Sequence, residues 1–172
     1  MNEEIYKALA ERNGWDFSMN NNRPYFMKDG KYATPSENTS DDDKALLANI
    51  ISEGSENLRD IILTCWKNGI SISGPCSGIR SEHKEPPFAL HFGITATKDI
   101  TEQLYQGLQE ELPNCNHSLR GKEATTPRYD LSLFLSSNEI ELTKDQSEEI
   151  FAVVLSRLNN VLEAKKEKER ER

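Results

Sequence analysis

The chain has no apolar run approaching the roughly 20 residues that a membrane-spanning helix needs. Its start, MNEEIYK, carries neither the basic end nor the apolar stretch of a secretory leader, so a cytoplasmic location and no membrane partner are expected. Cysteine is scarce: Cys65, Cys76 and Cys115 are too few and too unevenly numbered for a disulfide framework and read as reduced thiols. Positive charge is also in short supply, with 21 Lys and Arg against 29 Asp and Glu, a net charge of -8. That balance excludes a generic nucleic-acid coat, which draws on many cations to neutralise phosphates and release counterions. What is present, 172 residues of which 35% are hydrophobic and 8% aromatic, fits one compact domain with polar ends.

Residues 1–40 read as a loosely structured lead-in. A short helix from Glu3 to Arg12 precedes a polar stretch holding Asn20, Asn21, Asn22, Pro24, Gly30 and Pro35, which cannot sustain helical periodicity. Trp15, Phe17, Tyr25, Phe26 and Tyr32 are too many aromatics for plain linker and point to a small hairpin or a wrap over the core, with Asp29-Gly30 as its turn. Residues 41–164 read as an α+β domain. Ser40 caps a helix whose three aspartates complement its dipole, and Gly54 ends it. A second helix follows with Leu58, Ile61, Ile62, Cys65 and Trp66 on one side and Asn68-Gly69 as its stop. A third runs from Asp99 to Glu111, and a Thr143-x-x-Gln146 capping box opens the last. Residues 165–172 form a tail of mixed charge whose ordinary meaning is solvation.

Between the helices lie the extended segments Ile70 to Ser73, Phe88 to Ile94 and Tyr129 to Ser136, with residues 114–122 a candidate fourth. The first two should be antiparallel neighbours. The order predicts a two-layer α+β sandwich in which helices cover one face of a largely antiparallel sheet of three or four strands. Strand side chains alternate, so Leu90, Phe92, Ile94, Leu133 and Leu135 fall on one face. The opposite, helix-free face collects Ser71, Ser73, His91, Asp130, Ser132 and Phe134. Imidazole moves protons and a carboxylate fixes its tautomer, so His91, Asp130 and Ser73 are the candidate catalytic residues. An ordinary solvated sheet face explains the same polar residues without chemistry.

The loops beside that face are comparatively basic. Arg80, Lys84, Arg120, Lys122 and Arg128 would steer phosphates toward it, with Phe134 as a stacking surface, making RNA the nucleic-acid partner to consider. The turn GPCSG at 74–78 lacks the spacing of a serine nucleophile elbow or of a phosphate loop and reads as a tight turn. Cys76, His83, Cys115 and His117 are donors of the kind zinc takes, but their spacing is wrong for a standard site, so no metal and no cofactor are expected.

The stretch ENLRDIILTCWKNGISISGPCSG, followed by PPFALHFGI, resembles a helix, strand, Cys-Gly turn and strand arrangement in small proteins of Firmicutes phages and mobile elements. The resemblance covers residues 56 to 94. Where those proteins commonly place a histidine after Cys-x-Gly this chain has Ile79, so no functional residue is carried over. Such small acidic proteins include anti-CRISPR inhibitors, and the resemblance implies an anti-defence role in a host cytosol. The leading expectation is therefore an interaction protein that covers the basic groove of a nucleic-acid-handling partner such as a CRISPR nuclease. Residues 37–60 supply the acidity, with seven acids against two bases. The alternative is a small metal-independent ribonuclease or phosphodiesterase acting through His91, and the sequence leaves the oligomeric state open.

Overall fold

The computed structural model describes residues 3–20, 23–76, 90–121, 130–137 and 143–171. The elements run α1 (Glu3–Asn13), β1 (Asp16–Asn20), β2 (Arg23–Lys28), β3 (Lys31–Tyr32), α2 (Asp41–Ile51), α3 (Glu56–Lys67), β4 (Ser71–Cys76), β5 (His91–Thr97), α4 (Lys98–Glu111), β6 (Cys115–Gly121), β7 (Asp130–Ser137) and α5 (Lys144–Arg170). The fold is α+β, with two antiparallel sheets ordered β1-β2-β3 and β4-β5-β7-β6.

Local chemistry explains where the helices begin and end. Ser40 Oγ accepts from the Asp43 backbone N–H at 3.1 Å, satisfying an amide that the first turn of α2 leaves open, and Asp41 and Asp42 complement the dipole. α2 stops where Glu53 and Gly54 take φ of +53° and +81°. Ser55 caps α3 in the same way, through the Leu58 N–H. The Thr143–Gln146 box is reciprocal, with Gln146 N–H donating to Thr143 Oγ1 at 3.1 Å and Thr143 N–H donating to Gln146 Oε1 at 2.9 Å.

The four-stranded sheet packs one face against the helices. Leu90, Phe92 and Ile94, with Leu133 and Leu135 of β7, form one buried cluster with Leu58, Ile61, Ile62 and Cys65 of α3, Ile100, Leu104 and Leu108 of α4, and Phe151, Val154 and Leu158 of α5. α5 lies against both α3 and α4 and continues helical through the charged tail. β6 supplies the candidate fourth strand.

Two expectations need correction. The first strand does not end at Ser73: β4 continues through Gly74 and Pro75 to Cys76, and three steps on β4 from Ser73 to Cys76 face two on β5. That extra residue is a bulge, and Pro75 is tolerated because β4 is a sheet edge. The lead-in is also more built than a loose segment. α1, the β1-β2-β3 meander and α2 enclose their own cluster of Leu9, Ala10, Trp15, Phe26, Ala33 and Leu47, with the Phe17 and Phe26 rings 5.5 Å apart. The boundary near residue 40 cuts through this cluster, and Ile51 and Trp66 touch both it and the main core. Asp29-Gly30 does turn β2 into β3, with φ of +52° and +76°.

Candidate functional site

Register decides which positions on the helix-free face are neighbours. One row across the sheet runs Cys76, His91, Ser136, Asn116; the next runs Ser73, Gly93, Phe134, Ser118; a third runs Ser71, Thr95, Ser132, Arg120. Asp130 lies beyond all three, paired with Thr97, six residues along β5 from His91. At about 3.3 Å per residue that separation is about 20 Å, far outside hydrogen-bond reach. The proposed assembly of His91, Asp130 and Ser73 is therefore corrected: Ser73 and Phe134 lie one row from His91, but Asp130 does not join them. Arg120 is exposed and stands two rows from His91. Arg80, Lys84, Lys122 and Arg128 lie outside the described residues, so the basic rim is represented here by Arg120 alone.

The zinc-type donors are divided as well. β4 and β6 are opposite edges of the sheet, which puts Cys76 three strands, about 14 Å, from Cys115 and His117, while His83 lies outside the described residues. His117 belongs to the packing of the α4–β6 turn: its Nε2 lies 2.8 Å from the Leu112 carbonyl oxygen, and its ring meets Tyr105 edge-on. Among the described residues no group of three or more His, Cys, Asp or Glu could hold a metal ion. Cys65 is fully buried in the main core, and desolvation pushes its thiol up to about 12, so it is no nucleophile at neutral pH.

The helical layer carries the acids unevenly. Of the seven between residues 37 and 60, Asp43 turns inward and accepts from Arg12 Nε at 2.9 Å and Nη2 at 2.6 Å and from Asn13 Nδ2 at 2.9 Å. These hydrogen bonds, Arg12 first, hold the Asp43 carboxyl below its ordinary value. Glu53 is likewise committed, to Arg23 at 2.7 Å. Glu37, Asp41, Asp42 and Glu56 remain exposed. Glu148 then ties the first turns of α3 and α5 together: Ser55 Oγ donates to its carboxylate, the Asn57 N–H donates to Oε2 at 3.3 Å, and Asn57 Nδ2 donates to its carbonyl oxygen at 3.0 Å. Exposed Glu56, Asp145 and Glu149 consequently share one end of the layer, with Lys144 as the neighbouring cation.

A second feature escaped the sequence reading. Between the N-terminal meander and α2 lies a cleft of about 250 Å³, reaching Trp66 of α3 and Ile72 of β4. Tyr25 and Tyr32, whose rings stack at 6.4 Å and 27°, form one wall, and Leu47, Ile50 and Ile51 form another. Arg23 and Glu53 stand side by side in it, with only 8% of the Glu53 side chain exposed. The excess of aromatics between residues 15 and 32 was the visible signal; nothing local joins Arg23 to Glu53.

No protein-family model matches the chain, and comparison with curated proteins and with solved structures finds no match to either.

Proposed function

We propose that this chain is a non-catalytic interaction protein that docks its acidic helical layer onto the basic surface of a nucleic-acid-handling partner, of the kind a CRISPR nuclease presents. The observation that carries the reading is the shared acidic end at α3 and α5, where Glu56, Asp145 and Glu149 are exposed on helix turns that the Ser55–Glu148–Asn57 contacts join. Carboxylates facing a Lys- and Arg-lined channel speed encounter and exclude the polyanion that normally occupies it. Asp41 and Asp42 at the start of α2 add to the same sign of field. In the ribonuclease alternative, with His91 as proton shuttle and Arg80, Arg120 or Arg128 balancing phosphate charge, Asp130 is too far along the sheet from His91 to pair with it.

The test is pull-down and cleavage protection with a purified RNA-guided nuclease across a salt series. The expected result is stoichiometric protection that weakens as salt rises. The double charge reversal Glu56→Lys with Glu149→Lys should slow association about tenfold at low salt, and the difference should shrink at high salt. Equal association by both proteins at low salt would remove the acidic end from the mechanism. Failure to bind any such nuclease would remove the partner class.

A further inference from the structure

We propose that the cleft between the N-terminal meander and α2 is a binding site for a guanine base. It does not depend on the docking surface proposed above, which lies on other residues.

Two observations point to a ligand, and a third shows what delivers the carboxylate. The first is the space itself: a cleft of about 250 Å³ open to solvent beside half-exposed Tyr32, with aromatic and aliphatic side chains and a few polar groups on its walls, is the usual form of a small-molecule site. The second is the pair of charges in the wall. Arg23 and Glu53 meet at 2.7 Å where an apolar pair would seal the junction more easily, and together they present an N–H donor beside a carboxylate acceptor. The third is the backbone that delivers Glu53. Its φ is +53°, a conformation that glycine or asparagine adopts with less strain. Asp29, the other described non-glycine residue with positive φ, sits in a two-residue hairpin turn that demands it. At Glu53 the left-handed turn ends α2, and the same turn brings its carboxylate to the cleft.

The walls specify the shape of the ligand and the charges its edge. Tyr25, Tyr32 and Trp66 offer ring surfaces, so a flat heterocycle is favoured. A carboxylate accepts from adjacent N–H groups, and a guanidinium donates to a neighbouring carbonyl. Guanine presents that order on its Watson–Crick edge: N1–H and N2–H toward Glu53 and O6 toward Arg23. Adenine presents an amino donor to the guanidinium and a ring nitrogen lone pair to the carboxylate, leaving both protein groups mispaired. The base could arrive as a free nucleoside or nucleotide or as the unstacked end of an RNA strand; the chemistry recognised is the same.

Isothermal titration of the full chain with guanosine, adenosine, GMP and a short single-stranded RNA ending in guanosine tests this. Saturable guanosine binding, at least about tenfold tighter than adenosine, is expected. Tighter binding of the RNA than of guanosine assigns the site to strand ends, and equal or weaker binding assigns it to free nucleosides. Glu53→Gln should abolish the preference for guanosine. Tyr32→Ala, at a half-exposed position, should weaken both nucleosides several-fold and keep their ratio. Should Glu53→Gln fail to fold by circular dichroism, the wild-type ratio and Tyr32→Ala decide the matter. No saturable binding at millimolar guanosine, equal affinity for adenosine, or full binding by folded Glu53→Gln would overturn the proposal.

Discussion

Ser55 is the most informative single position for the stability of the helical layer. It is almost wholly buried, accepts the Leu58 N–H at 3.1 Å as the N-cap of α3, and donates to the Glu148 carboxylate of α5. Ser55→Ala removes both roles with almost no change in volume. The lost cap costs about 1 kcal/mol. The carboxylate loses a donor, and because Glu148 is only half-buried, water recovers part of that loss, leaving about 1 kcal/mol more. The total of about 2 kcal/mol should lower the melting temperature by roughly 4–8 °C for a chain of this size. Urea unfolding followed by circular dichroism reads it as a lower midpoint at unchanged slope. Glu148→Ala should show coupling with Ser55→Ala of about 1 kcal/mol in a double-mutant cycle, since one contact is removed by either change. A loss below about 0.5 kcal/mol for Ser55→Ala, or strict additivity, would show that α3 and α5 are not joined there.

Other outcomes follow from single groups. Asp43 holds its charge below the ordinary aspartate value of 3.8, so its stabilising contribution is complete above that value and is lost as pH falls through the lower folded one. Urea midpoints should therefore decline on acidification below about pH 4, and Asp43→Asn should flatten that decline while weakening the protein at neutral pH. Cys65, with its thiol pushed up to about 12, should react with a thiol reagent only as fast as the protein unfolds, measured in a Cys76→Ser, Cys115→Ser background; rapid native-state labelling would contradict its burial. Leu104→Ala, at a fully buried α4 position, should cost about 2–5 kcal/mol, read by the same unfolding assay. Structured RNA incubated in chelator should stay intact, and turnover lost in His91→Ala would restore the catalytic reading.

The main core was legible because its signals are periodic. Leu58, Ile61, Ile62 and Cys65 recur at helical spacing and Leu90, Phe92 and Ile94 at strand spacing, and each set is buried as its period requires. The N-terminal meander was legible only in part: its aromatics and Asp29-Gly30 pointed to a hairpin, but its own core did not show, for a physical reason. β1 and β2 are only five and six residues long; β1 alternates between exposed and half-buried positions without a fully buried one, β2 does not alternate cleanly, and their one deeply buried ring, Phe26, packs in a cluster with α1 and α2 rather than in the main core. Polar residues there read as a loose lead-in because the partners that bury the aromatics lie elsewhere in the chain.

The failure of the His91–Asp130 pairing follows from what alternation can carry. A period of two assigns each strand residue to a face and says nothing about its position along the strand, which is the coordinate that decides contact. That coordinate comes from pairing: β7 inserts between β5 and β6, and the register that sets His91 opposite Ser136 sends Asp130 to the far end, opposite Thr97. The same register places Leu133 opposite Ile94 and Leu135 opposite Phe92, four residues buried in one core. Sliding β7 six residues to bring Asp130 to His91 would keep the faces but carry Leu133 and Leu135 past the end of β5 and strip those apolar contacts. Core burial therefore fixes the row, and with it the separation of the two groups on the other face.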